Sequence, residues 1–222
     1  MNSPQPLALD LIVYDLDGTL VDAFDDIARG INAVFSRHQL PQLPMAQVRG
    51  HVGDGARMLV RRCLADVGAL DRFDDIYRGY REYYGRNPAG SARLYPGVLE
   101  TLEAVRARGI RQAVLTNKPA EVVAGVCDRL GIAARVDGLW GEVEGVPRKP
   151  DPESLLRILR HFGFPPDRCA MVGDALPDHR VARAAGVRMI AVAWGLLSRR
   201  QALALRPDRV IDRMPELLDL LA

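Results

Sequence analysis

Short apolar runs that stop at Gly, Asp or Asn alternate with helical periodicity over most of the chain. The runs at 9–15, 112–117, 136–141, 170–174 and 189–194, with a short one at 209–211, lack the alternation of a strand with one wet face. They predict strands covered on both sides. Between them, 98–108, 120–130, 153–162 and 178–185 carry apolar residues three and four apart, the spacing of an amphipathic helix. Strands and helices in alternation predict an α/β fold with a doubly wound, Rossmann-like parallel sheet.

The alternation breaks between 23 and 92, where only helical pattern is present. Phe24, Ile27, Ala28, Ile31, Val34 and Phe35 make one stripe, Met58, Leu59 and Leu64 belong to a second, and Phe73, Ile76, Tyr77, Tyr80 and Tyr84 to a third. This predicts an inserted α-helical lobe, 23–92, in a core made of 1–22 and 93–222. The entry follows Asp22 directly and the exit, Asn87-Pro88-Ala89-Gly90-Ser91, is rich in turn residues, so both crossings read as hinges.

Composition narrows the function classes. A chain of 222 residues, 48% hydrophobic and 26% charged, is large enough for a substantial core and far from a disordered composition. The net charge of +2 is too small to build a basic face, so no nucleic-acid partner is expected. No stretch approaches the roughly 18 apolar residues of a membrane span, and no basic segment leads into an apolar one at the start. A cytoplasmic protein with no membrane partner, monomeric or homodimeric, is the expectation. Cys63, Cys127 and Cys169 lie too far apart for a Cys-x-x-Cys motif and read as buried free thiols.

The candidate chemistry lies at strand ends. The first run stops in Asp15-Leu16-Asp17-Gly18-Thr19-Leu20-Val21-Asp22, and in a parallel sheet the crevice opens beyond the carboxyl ends of the strands. Two carboxylates so close repel unless a cation sits between them or their roles differ, and a hard divalent ion suits an oxygen donor set. Thr116-Asn117, Arg148-Lys149 and Gly173-Asp174 with Asp178 end or begin elements on the same rim. Singly, Asp178 reads equally as a helix cap, Thr116 as a turn residue and Lys149 as a solvated charge; their convergence on one rim favours a site. Of 30 basic residues only Lys118 and Lys149 are lysine. In a chain this rich in arginine, the compact charge of an ammonium is expected to matter at one of the two. Lys118 follows the Thr116-Asn117 turn and is also within reach of the site, but it reads first as a solvated first-turn residue, which favours Lys149.

These segments, in order, resemble the four motifs of the haloacid dehalogenase-like hydrolase superfamily, and the helical insert resembles its α-helical cap. Within the superfamily the chain is most similar to bacterial phosphoglycolate phosphatases, through Leu20-Val21-Asp22, Gly53-Asp54-Gly55-Ala56-Arg57 and Leu115-Thr116-Asn117-Lys118-Pro119. The resemblance implies a Mg²⁺-dependent hydrolase of phosphate monoesters acting through an aspartyl-phosphate. Asp15 would be the nucleophile and Asp17 the general acid and base. Asp15, the backbone carbonyl of Asp17, and Asp174 would hold the metal, with Asp178 behind them. Gly18, Thr116, Asn117 and Lys149 would bind the transferring phosphoryl group. Ala175 stands where many relatives have Ser, and Ala23 is a second departure, at the lobe entry.

Neighbouring chemistries fit less well. Dehalogenases displace a halide and lack an acid at the position of Asp17. Phosphonatases use a cap lysine, and 23–92 contains none. β-Phosphoglucomutases carry a cap histidine where this chain has Ile27. A phospho-acceptor signalling protein would place its acids as an adjacent pair on the first strand, unlike Asp15 and Asp17. The expected partner is a small phosphorylated metabolite, with 2-phosphoglycolate first and a sugar phosphate, nucleoside monophosphate or pyrophosphate as alternatives. Gly53 and Gly55, in a turn between lobe helices, are placed to present backbone amides to the leaving group; Arg57, with Arg49 and His51, reads first as a solvated helix face and second as a partner for a substrate carboxylate.

Overall fold

The computed structural model describes residues 6–86 and 90–222. In chain order the elements are β1 (Leu11–Tyr14), β2 (Val21–Asp22), α1 (Phe24–Arg37), α2 (Met45–Gly50), α3 (Ala56–Asp66), α4 (Phe73–Arg86), β3 (Arg93–Leu94), α5 (Val98–Ala107) and β4 (Arg111–Pro119). They continue with α6 (Ala120–Arg129), β5 (Gly138–Glu142), α7 (Pro152–Phe162), β6 (Cys169–Gly173), α8 (Leu176–Ala185), β7 (Arg188–Val192), α9 (Arg199–Ala204) and β8 (Arg209–Ile211).

Six strands form one sheet in the order β5-β4-β1-β6-β7-β8, and every pairing in it is parallel. The chain winds from β1 outward through β4 and β5, then returns to the other side through β6, β7 and β8. That reversal puts a crevice at the carboxyl ends of β1, β4 and β6. The uniformly apolar strands are explained by their two covered faces. Leu11, Val13, Ala113, Met171 and Ala191 pack under α7, α8 and α9, while Ile12, Tyr14, Val114, Val172 and Ile190 face the side of α5 and α6.

The helical pattern of 23–92 forms α1 to α4. Three of them bury most of the stripe their periodicity marks: Ile27, Ile31, Val34 and Phe35 on α1, Leu59 and Leu64 on α3, and Ile76, Tyr80 and Tyr84 on α4, while Met58, Phe73 and Tyr77 are half-buried. This apolar interior runs without a break into the layer of α5 and α6. At the crossings, β2 and β3 pair antiparallel, Val21 with Leu94 and Asp22 with Arg93. The pair ties the two connections together, a feature too short for a sequence pattern to show. On α1, Asp26 accepts the Ser91 N–H at 3.1 Å, so the start of the lobe also grips its exit. The exit residues Asn87, Pro88 and Ala89 lie outside the described residues. Among the described residues, no helix is long and apolar enough to cross a membrane.

Candidate active site

The carboxyl end of β1 delivers Asp15 to the crevice, held by its N–H on the Val172 carbonyl of β6 at 2.9 Å. The chain then turns tightly, with Leu16 O accepting the N–H groups of Thr19, Leu20 and Val21. Gly18 sits in this turn at φ +96°, and a Cβ there would run into the Asp174 carboxylate. Glycine is needed at 18 both for its dihedral and for the close approach of β1 to β6.

Lys149 is buried between two acids, its Nζ 2.7 Å from Asp15 and 2.7 Å from Asp178. Asp178 lies in the first turn of α8, and its other oxygen accepts the N–H groups of Asp174 at 3.1 Å and Ala175 at 2.9 Å. The helix-cap and site readings of Asp178 are thus both realised by one carboxylate. Asp174 accepts the Thr19 hydroxyl at 3.0 Å and the Leu196 N–H at 2.7 Å. Gly195 lets the loop after β7 pass so close, since a Cβ there would strike the same carboxylate.

Oxygens of Asp15, Asp174 and Asp178 lie within 4.8 Å of one another, all three residues buried. Three carboxylates against the single ammonium of Lys149 leave two negative charges in a dry site, the charge of one divalent cation. Asp174, with no cationic side chain on it in this geometry, is pushed well above the usual carboxylate range by burial and by the charges of Asp15 and Asp178. Burial likewise raises Asp15, to about 6, although Lys149 opposes it. For Lys149 burial disfavours the ammonium, but Asp15 and Asp178 outweigh it and the group is held well above the ordinary lysine value. An all-oxygen donor set with two uncompensated charges fits Mg²⁺.

Thr116 and Asn117 arrive at the end of β4. Both line, with Asp15, Asp17 and Lys149, a cavity of about 60 Å³ between the rim and the helices α1, α3 and α4. The Thr116 hydroxyl accepts the Lys118 N–H at 3.2 Å. Asn117 donates its side-chain amide to the carbonyls of Gly53, 3.0 Å, and Lys149, 2.9 Å, joining the lobe turn to the rim.

Gly53 and Gly55 reach the cavity wall with φ of +122° and +85°. Arg57 does not. At the second position of α3 its guanidinium stacks over Phe73 at 4.9 Å and Tyr77 at 5.6 Å, on an adjoining groove. Arg49 donates to the Gly195 carbonyl at 2.9 Å and covers the Phe24 ring, and His51 pairs with Asp66 at 2.6 Å. Arg49, His51 and Arg57, the lobe side chains with a carboxylate as their second reading, all have other partners.

The reading of Lys118 as a solvated residue is corrected. β4 runs two residues further than its apolar pattern, to Pro119, and carries Lys118 inward. Its Nζ stands 3.0 and 3.2 Å from the two Asp17 oxygens. The Asp17 carboxylate therefore faces Lys118, away from the cluster of the other three acids. The scarcity of lysine was the signal that could have found it: both lysines are in the site.

A family model described as haloacid dehalogenase-like hydrolase matches residues 12–192. The chain belongs to this family. It is accordingly an enzyme, and several of the proteins it aligns with over most of its length are phosphoglycolate phosphatases by name. The phosphoglycolate phosphatase of Haemophilus influenzae is 34% identical over 222 residues, covering 95% of this chain and 97% of its own. That of Rhodospirillum rubrum is 35% identical over 215 residues, 94% of this chain and 89% of its own. The crystal structure of a Haemophilus somnus protein, a phosphoglycolate phosphatase by prediction, superposes with a TM-score of 0.90 at 31% identity, covering 96% of this chain and 98% of its own. CbbY of Rhodobacter sphaeroides in complex with phosphate gives 0.79 at 25% identity, covering 94% and 96%.

Proposed function

We propose that this hydrolase cleaves phosphate monoesters through an aspartyl-phosphate on Asp15, with Mg²⁺, and that its substrate is 2-phosphoglycolate. The observation that carries the reading is Asp15 at the cavity wall, fixed by Lys149 at 2.7 Å, with a second acid, Asp17, two residues on and lining the same space. Asp15 attacks phosphorus in line while the ester bond breaks, and Asp17 gives its proton to the leaving alkoxide. Water then attacks the acyl-phosphate, with Asp17 taking the proton back. Lys149 and the Thr116 hydroxyl offset the charge on the phosphoryl oxygens. The carboxylates of Asp15 and Asp174 and the carbonyl of Asp17 would hold Mg²⁺, which when bound supplies positive charge to the anionic phosphoryl group and its nucleophile. Asp178 keeps Lys149 in place.

Residues 23–92 act as the cap in this reading, on a core of 1–22 and 93–222. Ile27 presents a hydrocarbon wall to the cavity, with no imidazole to return a phosphoryl group. The small cavity suits a short leaving group better than a sugar or a nucleoside. The relatives' names point to the same acid.

Rapid-quench labelling tests the chemistry. With ³²P-labelled 2-phosphoglycolate and Mg²⁺, an acid-stable, hydroxylamine-labile label is expected on the peptide that holds Asp15, and chelation abolishes turnover until Mg²⁺ is restored. Label on another residue, or undiminished hydrolysis in excess chelator, rejects the mechanism. A panel of phosphate monoesters ranked by kcat/KM tests the substrate, and a sugar phosphate or nucleotide at its head rejects phosphoglycolate alone.

A further inference from the structure

Both lysines of this arginine-rich chain reach the cavity, and the phosphoryl chemistry accounts for only one. Lys149 is committed to Asp15 and Asp178. Lys118 has a side chain only 7% exposed and both Asp17 oxygens within 3.2 Å. On its other side the ammonium lies 4.9 Å from the centre of the Tyr84 ring, whose face attracts a cation and keeps water from it.

The space around this pair offers a charged leaving group little else. Ile27, Leu59, Tyr80 and Val122 are apolar or aromatic walls. Arg81, the remaining cation of the lining, gives its Nε and Nη2 to Glu121. To serve the leaving oxygen, Asp17 must face it. An ammonium about 3 Å from Asp17 then lies beside whatever substituent that oxygen carries.

We propose that Lys118 selects the leaving group, its ammonium pairing with a carboxylate borne directly by the carbon of the ester oxygen. The inference rests on the phosphoglycolate reading and names the residue that reads that acid. In 2-phosphoglycolate one CH₂ separates the ester oxygen from the carboxylate, so contact with Asp17 brings the carboxylate to Lys118. A compact ammonium on a flexible stem can turn between two carboxylates, whereas a planar guanidinium fork prefers to stay on one. This explains a lysine at 118 in a chain that otherwise uses arginine.

The test compares 2-phosphoglycolate with 2-hydroxyethyl phosphate, in which a neutral CH₂OH replaces the carboxylate. Wild type is expected to prefer phosphoglycolate. Lys118→Gln, which keeps a donor for Asp17 without the charge, should lower kcat/KM for phosphoglycolate by about 10-fold or more beyond its effect on hydroxyethyl phosphate, mainly through KM. A second variant, Lys118→Cys, is alkylated with 2-bromoethylamine to rebuild an ammonium at that position. The native Cys63, Cys127 and Cys169 are buried, with thiols pushed up to about 12, and stay unreactive. Alkylation should restore the preference for the acid. Equal losses on both substrates, or alkylation that rescues both alike, would show that Lys118 only positions Asp17 and overturn the proposal. A wild type with no preference removes the phosphoglycolate reading itself, and Lys118's role with it, a result distinct from a preference that survives Lys118→Gln.

Discussion

The sheet rim and the helical lobe wall the same cavity with opposite materials. From the rim come Asp15, Asp17, Lys118 and Lys149, with Asp174 and Asp178 behind them, and each acid has a fixed partner: Asp15 has Lys149, Asp17 has Lys118, Asp178 has two backbone N–H groups, and Asp174 has a hydroxyl and an N–H. From the lobe come Ile27, Val52, Leu59, Tyr80, Tyr84 and the backbone of Gly53 and Gly55, with one cation, Arg81, already paired to Glu121. Charges taken out of water need partners in place, and strand ends locked on both sides supply them. A lobe that has to admit and enclose a substrate is better built from surface that loses nothing on being dried. Under the proposed function, the reaction falls to the rim and the size of the leaving group to the lobe.

The sharpest way to break this comparison is at the rim. Asp15→Asn should lower turnover by about 10⁴-fold or more, as loss of a nucleophile does. The fold should not suffer. The folded-state pKa of Asp15, about 6, is above the ordinary value of about 3.9. The stability its protonated form contributes is therefore present below about pH 4 and lost as pH rises through 6. The amide does not ionise, so the melting temperature of Asp15→Asn at pH 7 should equal or exceed that of wild type without metal. A large drop in melting temperature would mean that the ionised carboxylate is structural.

Asp17→Asn comes next, with an expected loss of about 10²- to 10⁴-fold in kcat for an alkyl phosphate. The loss should shrink for an aryl phosphate such as 4-nitrophenyl phosphate, whose leaving group needs less protonation. Equal losses on both esters would remove Asp17 from the acid role.

Gly195→Ala probes how little the rim can move. The added Cβ meets the Asp174 carboxylate, and displacement of a group in such a shell costs about 10- to 100-fold in metal affinity or activity. The Mg²⁺ concentration for half-maximal rate should rise, with far-UV circular dichroism unchanged. A wild-type Mg²⁺ dependence would show that Asp174 is free to shift.

The smallest effect is expected in the lobe. Arg57 is exposed and stacks on Phe73 and Tyr77, away from the cavity. Arg57→Ala should leave kcat/KM within about 2-fold and cost about 0.5 to 1 kcal/mol of stability, the range of an exposed cation–π contact. A selective loss on phosphoglycolate, read against an aryl phosphate, would return Arg57 to the site and blur the division between rim and lobe.

Much of the rim was legible in the chain because its residues lie at strand ends. Once β1, β4 and β6 are read as parallel strands, Asp15, Thr116 and Asp174 have to emerge on one side. The lobe was legible as helices and as buried stripes, but the partners of its polar side chains were not. Arg49, His51 and Arg57 flank the Gly53 turn in sequence, yet Arg49 points to Gly195, His51 to Asp66 and Arg57 to Phe73. Adjacency in sequence does not bring these side chains to one wall, because Arg49 lies on α2, His51 just past its end and Arg57 on α3, beyond the Gly53 turn.

The sequence by itself determined the periods, and with them the sheet, the inserted helices and the register of the acids at their strand ends, because those depend on the alternation of neighbouring residues. Only the tertiary structure decided which charges meet. Lys118 and Asp17 are 101 residues apart, Asn117 and Gly53 are 64 apart, and Thr19 reaches Asp174 across 155. A lysine just past the apolar part of a strand has the same local pattern whether it faces water or a buried carboxylate. What separates the two outcomes is a partner delivered by another strand and an aromatic ring delivered by another helix, and neither is near Lys118 until the chain has folded.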